Sequence, residues 1–416
     1  MRIASTSLTR RSRRIAVLLI AAALSAVAVA PAEAKFNTKK SIWGPVTVDG
    51  QSAFPIYKDL GVGIYSIALD WSKVASGTTK PSGDLTDPNN PAYTWPDSLT
   101  DAVSAATTAG IKVNIEITKV PLWARSSRYC ATNRGCQPTD PADYARFATA
   151  AAKRYPVVHL WMVWGEPNRQ ANFFGYQKAD WRASTLTDAQ AQGPRAYARL
   201  LDAAYGALHA PSLPGSSQNQ VIGGNTEPAG DIMPGAWIKY MKLKDTKTGK
   251  YTKAPRIDMY GHNVFPMSQR KPVLNPIPSS HNLIDFSDLQ RLHTLVDTQL
   301  AKPAGKSTIK LFLSEICIPT GPNDGEFQYW VQADPAKDRV DNQVSWINSA
   351  FAAVNANSWI HSMGWIHLKD VPQSKYVTDY NKAHPTKKIV DPYATQSGLF
   401  FADGTKKPGY TAFQNG

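Results

Sequence analysis

Short apolar runs recur along the chain, and their spacing predicts eight strands separated by longer segments. The runs are rich in β-branched and aromatic residues, and several are apolar at nearly every position, which is typical of strands buried on both faces. The predicted strands cover residues 42–48, 63–69, 111–117, 159–164, 221–224, 257–261, 309–314 and 361–367.

Between most of these strands, apolar residues recur at the spacing of an amphipathic helix. Strands that alternate with helices predict the α/β class, and eight such units predict a (β/α)8 TIM barrel. An open, doubly wound sheet is the structural alternative. The predicted helices cover residues 99–109, 141–155, 195–209, 286–301 and 342–354, and a closing helical region covers residues 398–413.

Long loops rich in Pro, Asn, Asp and Gly interrupt this pattern. In a barrel, the loops that follow the strands build the binding cleft at the C-terminal face. No linker or internal repeat divides residues 35–416, so the sequence predicts one barrel domain. The long loops are residues 80–96, 242–255, 267–282 and 319–337.

Residues 1–34 have the pattern of a secretory signal peptide. Five arginines precede an apolar stretch at residues 15–30, and Ala32-Glu33-Ala34 forms a cleavage motif of small residues. The pattern predicts cleavage after Ala34 and a secreted, extracellular protein, with an uncleaved N-terminal anchor as the alternative. No other stretch is long and apolar enough to span a bilayer, so the sequence predicts no membrane span in the mature chain.

The charge of the chain bears on its partners. The formal net charge is +14, and residues 1–34 contribute +4 (five Arg, one Glu), so about +10 remains on the mature protein. Such a surface fits nucleic acid, an anionic cell wall or an acidic polysaccharide. The Lys and Arg residues are scattered, however, and no run resembles a nucleic-acid-binding tract. The sequence favours a generally basic secreted surface and no nucleic-acid partner.

Two of the three cysteines, Cys130 and Cys136, bracket a short polar loop. In an exported protein this spacing predicts a disulfide, whereas a metal site is disfavoured because no histidine lies nearby. Cys317 lies in an apolar run next to a glutamate and is predicted to be a buried thiol.

The strongest chemical signal is segment 161–168 (WMVWGEPN), where an apolar strand ends directly in Glu166. Barrel enzymes place catalytic groups at the C-terminal ends of strands. The aromatic neighbours Trp161 and Trp164 would raise the pKa of Glu166 by desolvation, as a general acid near neutral pH requires. An ordinary solvent-facing turn is the structural alternative.

A second apolar strand, 309–315 (IKLFLSE), also runs straight into a glutamate. Strand alternation puts Leu311, Leu313 and Glu315 on one face, which is predicted to point into the barrel. Glutamates at the ends of the fourth and seventh strands would then meet at one barrel mouth. This pair suits glycosidic bond cleavage with retention, with Glu166 as acid/base, Glu315 as nucleophile and carboxyl groups about 5–5.5 Å apart.

These strand ends resemble those of clan A glycoside hydrolases, in particular family 39 and the family 5 cellulases, whose two carboxylates stand on strands four and seven. Segment 164–168 (WGEPN) is similar to the clan's Asn-Glu-Pro motif, and segment 313–315 (LSE) is similar to its nucleophile motif. The resemblance implies a (β/α)8 glycosidase that needs no cofactor and acts on a poly- or oligosaccharide. Further similar segments follow in the same order, at residues 61–74, 258–266, 364–370 and 404–413.

Aromatic residues at or after strand ends predict a sugar-binding site, because flat rings stack on pyranose rings. The resemblance implies that one of them, Trp365, is the sugar platform. It also places His262 at the substrate-binding histidine of the sixth strand, with a satisfied polar residue as the alternative. The aromatic residues are Trp123, Trp164, Trp330 and Trp365.

One residue departs from the clan's pattern. The position before the acid/base is usually an asparagine that binds the sugar 2-hydroxyl, but here it is Gly165. The predicted replacements for that contact are Asn168 and Asn225.

Other hydrolase and cofactor motifs are missing from the sequence. There is no Gly-x-Ser-x-Gly elbow, no His-Glu-x-x-His or His-x-His pair, and Gly61-Val62-Gly63 lacks the third glycine of a dinucleotide loop. The sequence predicts no metal, no cofactor and a monomer. Two functional alternatives remain open: a secreted carbohydrate-binding protein on an inactive barrel, and a transglycosylase that uses the same residues.

Overall fold

The computed structural model describes residues 36–125, 130, 135–266, 282–320, 339–372, 374–387 and 395–416. Eight parallel strands close into a barrel, in which each strand pairs with the next along the chain and the last pairs with the first. The predicted (β/α)8 barrel is confirmed. The strands are β1 (Asn37–Trp43), β2 (Val62–Asp70), β3 (Lys112–Thr118), β4 (Leu160–Val163), β5 (Gln220–Thr226), β6 (Met259–His262), β7 (Lys310–Ile316) and β8 (Ile360–Ile366).

Helices pack on the outside of the barrel. Two short hairpins lie in loops, Thr47–Val48 with Gln51–Ser52 and Leu243–Lys244 with Tyr251–Lys253. Within the described residues the α-helices are α1 (Phe54–Asp59), α2 (Trp71–Val74), α3 (Asp97–Thr108), α4 (Pro141–Arg154), α5 (Asp188–Leu208), α6 (Pro234–Tyr240), α7 (Leu289–Val296), α8 (Arg339–Ala356), α9 (Lys375–Ala383) and α10 (Pro408–Asn415).

The apolar core has two parts, as alternating side chains on a barrel strand require. The larger part lies between the strands and the helices. The smaller part fills the barrel interior, so the barrel is packed and a ligand approaches it from the face that carries the loops. The interior cluster consists of Ile64, Leu160, Met162, Ile222, Met259 and Phe312.

The first strand was predicted at the wrong place, because β1 begins at Asn37 and not at residue 42. Two lysines made its first half look like an exposed loop. The ammonium of Lys39 donates to the carbonyl of Asn357 at 3.0 Å, and that of Lys40 donates to the carbonyl of Gln414 at 2.7 Å. The lysines thus satisfy carbonyls elsewhere in the fold, which periodicity along one strand does not reveal.

Two predicted helices differ from the observed ones. Helix α5 begins at Asp188, after a capping box formed by Thr187 and Gln190. The predicted start at residue 195 is wrong, because Pro194 lies inside the helix and does not mark its beginning. The segment predicted as a helix at 286–301 contains a 3-10 turn, helix α7 and a π-turn.

Cys130 and Cys136 form the predicted disulfide, with Cα atoms 5.9 Å apart. Cys317 is fully buried, as predicted. Across the part of the chain that the structure describes, no helix is both long enough and apolar enough to cross a membrane.

Candidate active site

Glu166 lies directly after β4 on a strained stretch of backbone. Trp164 and Glu166 have φ angles of +70° and +46°, in the left-handed region that non-glycine residues rarely adopt. The amide of Glu166 donates to the carbonyl of Asn225 at 2.9 Å, and Asn225 has a φ of +41°. Such strain persists where the surrounding structure enforces it, and it concentrates at functional sites.

The carboxylate of Glu166 accepts three hydrogen bonds. Oε2 accepts from Arg169 Nη1 at 2.9 Å and from Asn172 Nδ2 at 3.2 Å, while Oε1 accepts from Asn263 Nδ2 at 2.9 Å. The side chain is only 15% exposed. These donors fix the orientation of the carboxylate at the C-terminal end of the barrel.

Glu315 lies near the end of β7, where strand alternation breaks down. Phe312 belongs to the interior cluster, whereas Leu311 and Leu313 pack outward, so the prediction that their face points into the barrel is wrong. Between Leu313 and Ile316 the register of β7 against β8 shifts. A bulge of this kind re-aims a side chain, which is why alternation along the sequence does not predict the direction of Glu315.

The segment after β6 contacts both glutamates. The side chain of Asn263 donates to the Glu166 carboxylate at 2.9 Å, and the amide of the next residue, Val264, donates to the carbonyl of Glu315 at 2.8 Å. Glu166 and Glu315 therefore both flank the C-terminal end of β6. Asn263 is not among the predicted site residues, because the resemblance of segment 258–266 points to His262.

Glu116 on β3 is a third carboxyl group at this end of the barrel, and sequence reasoning missed it. Its residue is 8% exposed, and Oε2 accepts from Asn225 Nδ2 at 2.9 Å. Burial and then the negative charge of Glu166 raise its pKa to about 7, against the opposing effects of Lys119 and Asn225. The signal was present, since Glu116 interrupts an apolar strand near its end.

A fourth carboxyl group, Glu227, is linked to Glu166 through Arg169. The Nε atom of Arg169 lies 3.2 Å from Glu227 Oε2, while its Nη1 contacts Glu166. Burial and the charge of Glu166 raise the pKa of Glu227 to about 7, although Arg169 opposes the shift. One arginine thus holds two acidic side chains that would otherwise repel each other.

The predicted polar substrate contacts are buried and already hydrogen-bonded. Asn168 donates to the carbonyls of Glu227 and Ile232 and accepts from the amide of Glu227. His262 contacts Thr226 Oγ1 at 2.8 Å and the carbonyl of Ile284 at 3.0 Å, and burial lowers its pKa to about 4. These bonds brace the loops after β4, β5 and β6; direct sugar contacts by Asn168 and His262 stay predictions.

Two of the predicted aromatic platforms are fully buried. Trp164 packs edge-on against Phe173, and Trp365 packs against Phe413 of α10 on the outside of the barrel. Trp123 is half-buried and donates to the carbonyl of Ala75. Trp330 lies outside the described residues.

A tryptophan that the sequence did not single out has a better position than these. Trp43 at the end of β1 is half-buried, packs on the interior cluster, and donates through Nε1 to Ser314, the residue before Glu315. Its ring therefore lies beside Ser314, one residue before the candidate nucleophile. The sequence does not indicate Trp43 as a strand-end aromatic, because the strand is predicted at residues 42–48 and not at Asn37–Trp43.

The raised pKa values predict a pH dependence of stability. Between about pH 4.5 and 7 the folded state holds more protons on Glu116 and Glu227 than the unfolded state does, so the free energy of unfolding falls as pH rises through this window. We expect Glu116→Gln to raise the free energy of unfolding at pH 8 by up to about 3 kcal/mol, at about 1.4 kcal/mol per pKa unit. Near pH 4.5 we expect little change.

Denaturation of wild type and Glu116→Gln at both pH values measures this difference. Asp188→Asn, at a side chain that is 94% exposed, is the matched control. An equal change in stability at the two pH values would contradict the prediction.

Among the described residues, no group of three or more His, Cys, Asp or Glu side chains is arranged to hold a metal ion. The carboxyl groups of Glu116 and Glu166 instead accept hydrogen bonds from Arg169 and from asparagine side chains.

The closed parallel barrel is similar in fold to solved structures of glycosidases. A family 39 glycoside hydrolase from the gut symbiont Bacteroides cellulosilyticus WH2 matches with a TM-score of 0.56 and 16% identity, over 92% of this chain and 64% of that one. A glucosidase from Croceicoccus marinus matches with a TM-score of 0.50 and 16% identity, over 92% and 65%. The chain thus spans slightly less than two thirds of the length of these proteins. No family model and no curated protein sequence matches the chain.

Proposed function

We propose that this protein is a retaining glycoside hydrolase that cleaves O-glycosidic bonds in a poly- or oligosaccharide. The observation that carries the proposal is that Asn263 donates to the carboxylate of Glu166 while the next residue, Val264, donates to the backbone carbonyl of Glu315, so that both glutamates lie near the end of β6. The fold and its likeness to two glycosidases add support.

In the proposed reaction Glu315 attacks the anomeric carbon while Glu166 protonates the departing oxygen. The bond to the leaving group breaks, and a glycosyl ester of Glu315 forms. Glu166, now a carboxylate, takes a proton from water, and the water oxygen attacks the anomeric carbon and releases Glu315. Both glutamates return to their starting protonation states.

The surroundings of Glu166 suit the carboxylate that appears midway through this cycle. Arg169, Asn172 and Asn263 already donate to its two oxygens, so they stabilise the negative charge without reorganisation when the proton leaves. Arg169 is held by Glu227 on its other side, which fixes it as a positioning residue.

Export is part of the proposal. The disulfide between Cys130 and Cys136 fits an oxidising compartment. Residues 1–34, which lie outside the described residues, are proposed to be a signal peptide cleaved after Ala34. The mature protein is proposed to act outside the cell as a monomer without a cofactor.

The substrate class and the stereochemistry can be tested together. We expect the wild type to release reducing ends from at least one member of a panel of β-glucan, xylan, arabinan and uronic-acid polymers. Proton NMR in the first minutes should find the product in the anomeric configuration of the substrate, because two displacements at one carbon restore the configuration.

Other outcomes would change the proposal. An inverted first product would contradict retention and the assignment of Glu315 as nucleophile. Binding of a polymer without release of reducing ends would favour the sugar-binding alternative, and longer oligosaccharides as the main product would favour the transglycosylase.

A further inference from the structure

Any side chain at Gly165 would collide with the carboxyl group of Glu116 and displace it. A Cβ atom placed on Gly165 would lie 2.6 Å from Oε1 of Glu116 and 2.8 Å from Oε2, closer than real Cβ contacts. The backbone of Gly165 is not in the left-handed region, so the need for glycine is one of space. The Glu116 carboxyl therefore occupies the volume that a side chain at position 165 would fill.

This volume adjoins the acid/base residue, because position 165 directly precedes Glu166. Glu116 reaches it from β3, and Asn225, at the end of β5, holds the carboxyl in place through one hydrogen bond to Oε2. The backbone carbonyl of the same asparagine accepts from the amide of Glu166. Glu116 and Glu166 are thus positioned against each other by a single residue.

Several acceptor atoms around Glu166 lack donors. Asn225 donates from Nδ2 to Glu116, and Asn263 donates from Nδ2 to Glu166. The Oδ1 atoms of both asparagines are buried without a hydrogen-bond partner among the described residues. Oε1 of Glu116 is not one of these fully buried atoms, but it also accepts no hydrogen bond from the described part of the chain. Buried acceptors are normally satisfied, and sugar hydroxyls are donors that can satisfy them.

We propose that Glu116 is a specificity-determining residue whose carboxyl binds one ring hydroxyl of the sugar that Glu166 and Glu315 act on. The carboxyl occupies the space beside Gly165, which is open to it because position 165 carries no side chain. This inference rests on the proposed glycosidase function. The hydroxyl supplies the donor that Oε1 lacks, and the carboxyl selects for sugars that carry it.

The test uses an activated aryl glycoside that the wild type hydrolyses and its monodeoxy analogues, each lacking one ring hydroxyl. We expect the wild type to discriminate against one analogue by about 10²-fold in kcat/KM, because a buried group that expects a hydroxyl is left unpaired. In Glu116→Ala the discrimination against that analogue should fall below about 10-fold, while discrimination against the others stays as it was.

A second readout follows from the fact that a side chain at position 165 and the carboxyl of Glu116 would occupy the same volume. Gly165→Asn alone should lower kcat/KM for the parent glycoside by at least about 10-fold, because its Cβ displaces the Glu116 carboxyl. Adding Glu116→Ala to Gly165→Asn should recover activity relative to Gly165→Asn alone. Glu116→Gln, which keeps the shape, controls for misfolding, and we expect it to keep part of the discrimination.

Two results would overturn the inference. If Glu116→Ala and Glu116→Gln lower kcat/KM for the parent and for every analogue by the same factor, Glu116 only supports the fold. If the wild type hydrolyses no glycoside at all, the proposed function itself fails and the inference falls with it. The first result leaves the glycosidase proposal intact, so the two failures are distinguishable.

Discussion

Glu315→Gln is expected to lower kcat/KM for an activated aryl glycoside by at least about 10⁴-fold, because the amide cannot form the glycosyl ester through which the reaction passes. The substitution preserves size and keeps the backbone contact from Val264 to the carbonyl of residue 315. The loss should therefore appear in kcat with little change in the melting temperature. Initial rates and thermal denaturation of both proteins check this result.

Azide identifies the nucleophile by the configuration of its product. In Glu315→Ala, azide is expected to enter the vacated space, attack the anomeric carbon directly and give a glycosyl azide of inverted configuration. Asp188→Asn, on the exposed surface of α5, should retain wild-type activity. Survival of full activity in Glu315→Gln would refute the assignment.

Glu166→Ala is expected to separate two kinds of substrate. For a glycoside with a poor leaving group, kcat/KM should fall by about 10²–10⁴-fold, because the departing oxygen no longer receives a proton. For a dinitrophenyl glycoside it should change little, since that leaving group departs as an anion. The second step then loses its base, so the dinitrophenol should appear in a burst followed by slow turnover.

Azide again distinguishes the roles. In Glu166→Ala it is expected to attack the glycosyl ester of Glu315 and give a product with the configuration of the substrate, opposite to that from Glu315→Ala. Equal losses for both leaving groups would mean that Glu166 does not protonate the departing oxygen. In that case the three donors to its carboxylate would have only a structural role.

Sequence reasoning reached the two glutamates through a local signal, a charged residue at the end of an apolar strand. The same signal is present at Glu116, in segment 114–118 (NIEIT). No segment next to Glu116 resembles a glycosidase motif, so the sequence alone does not mark it as a site residue. The sequence shows that Gly165 departs from the clan's pattern, but it does not show which side chain occupies the space beside this glycine. The carboxyl that fills the space lies on another strand, 49 positions earlier in the chain (165 − 116 = 49).

The tryptophans illustrate a different limit of the sequence. An aromatic residue at a strand end can serve as a sugar platform only if its ring faces the cleft. The ring of Trp164 is fully buried, and its left-handed backbone conformation, which sets the direction of the side chain, is not readable from the sequence. Trp365 alternates to the outer face of β8, where α10 covers it. Trp43 lies beside Ser314 and is the last residue of β1. The two lysines in the first half of β1 shifted the predicted strand to residues 42–48, which placed Trp43 at the start of the strand instead of at its end.

By itself the sequence determined the barrel, the disulfide between Cys130 and Cys136, and the presence of glutamates at the ends of β4 and β7. Each of these follows from local periodicity or spacing, because burial on both faces of a strand imposes its pattern on neighbouring residues. The tertiary structure alone decided which groups surround Glu166 and that Glu116 fills the space beside Gly165. Barrel closure brings together side chains from β3, β5 and β6, and such contacts across strands leave no periodic trace in the sequence of any one strand.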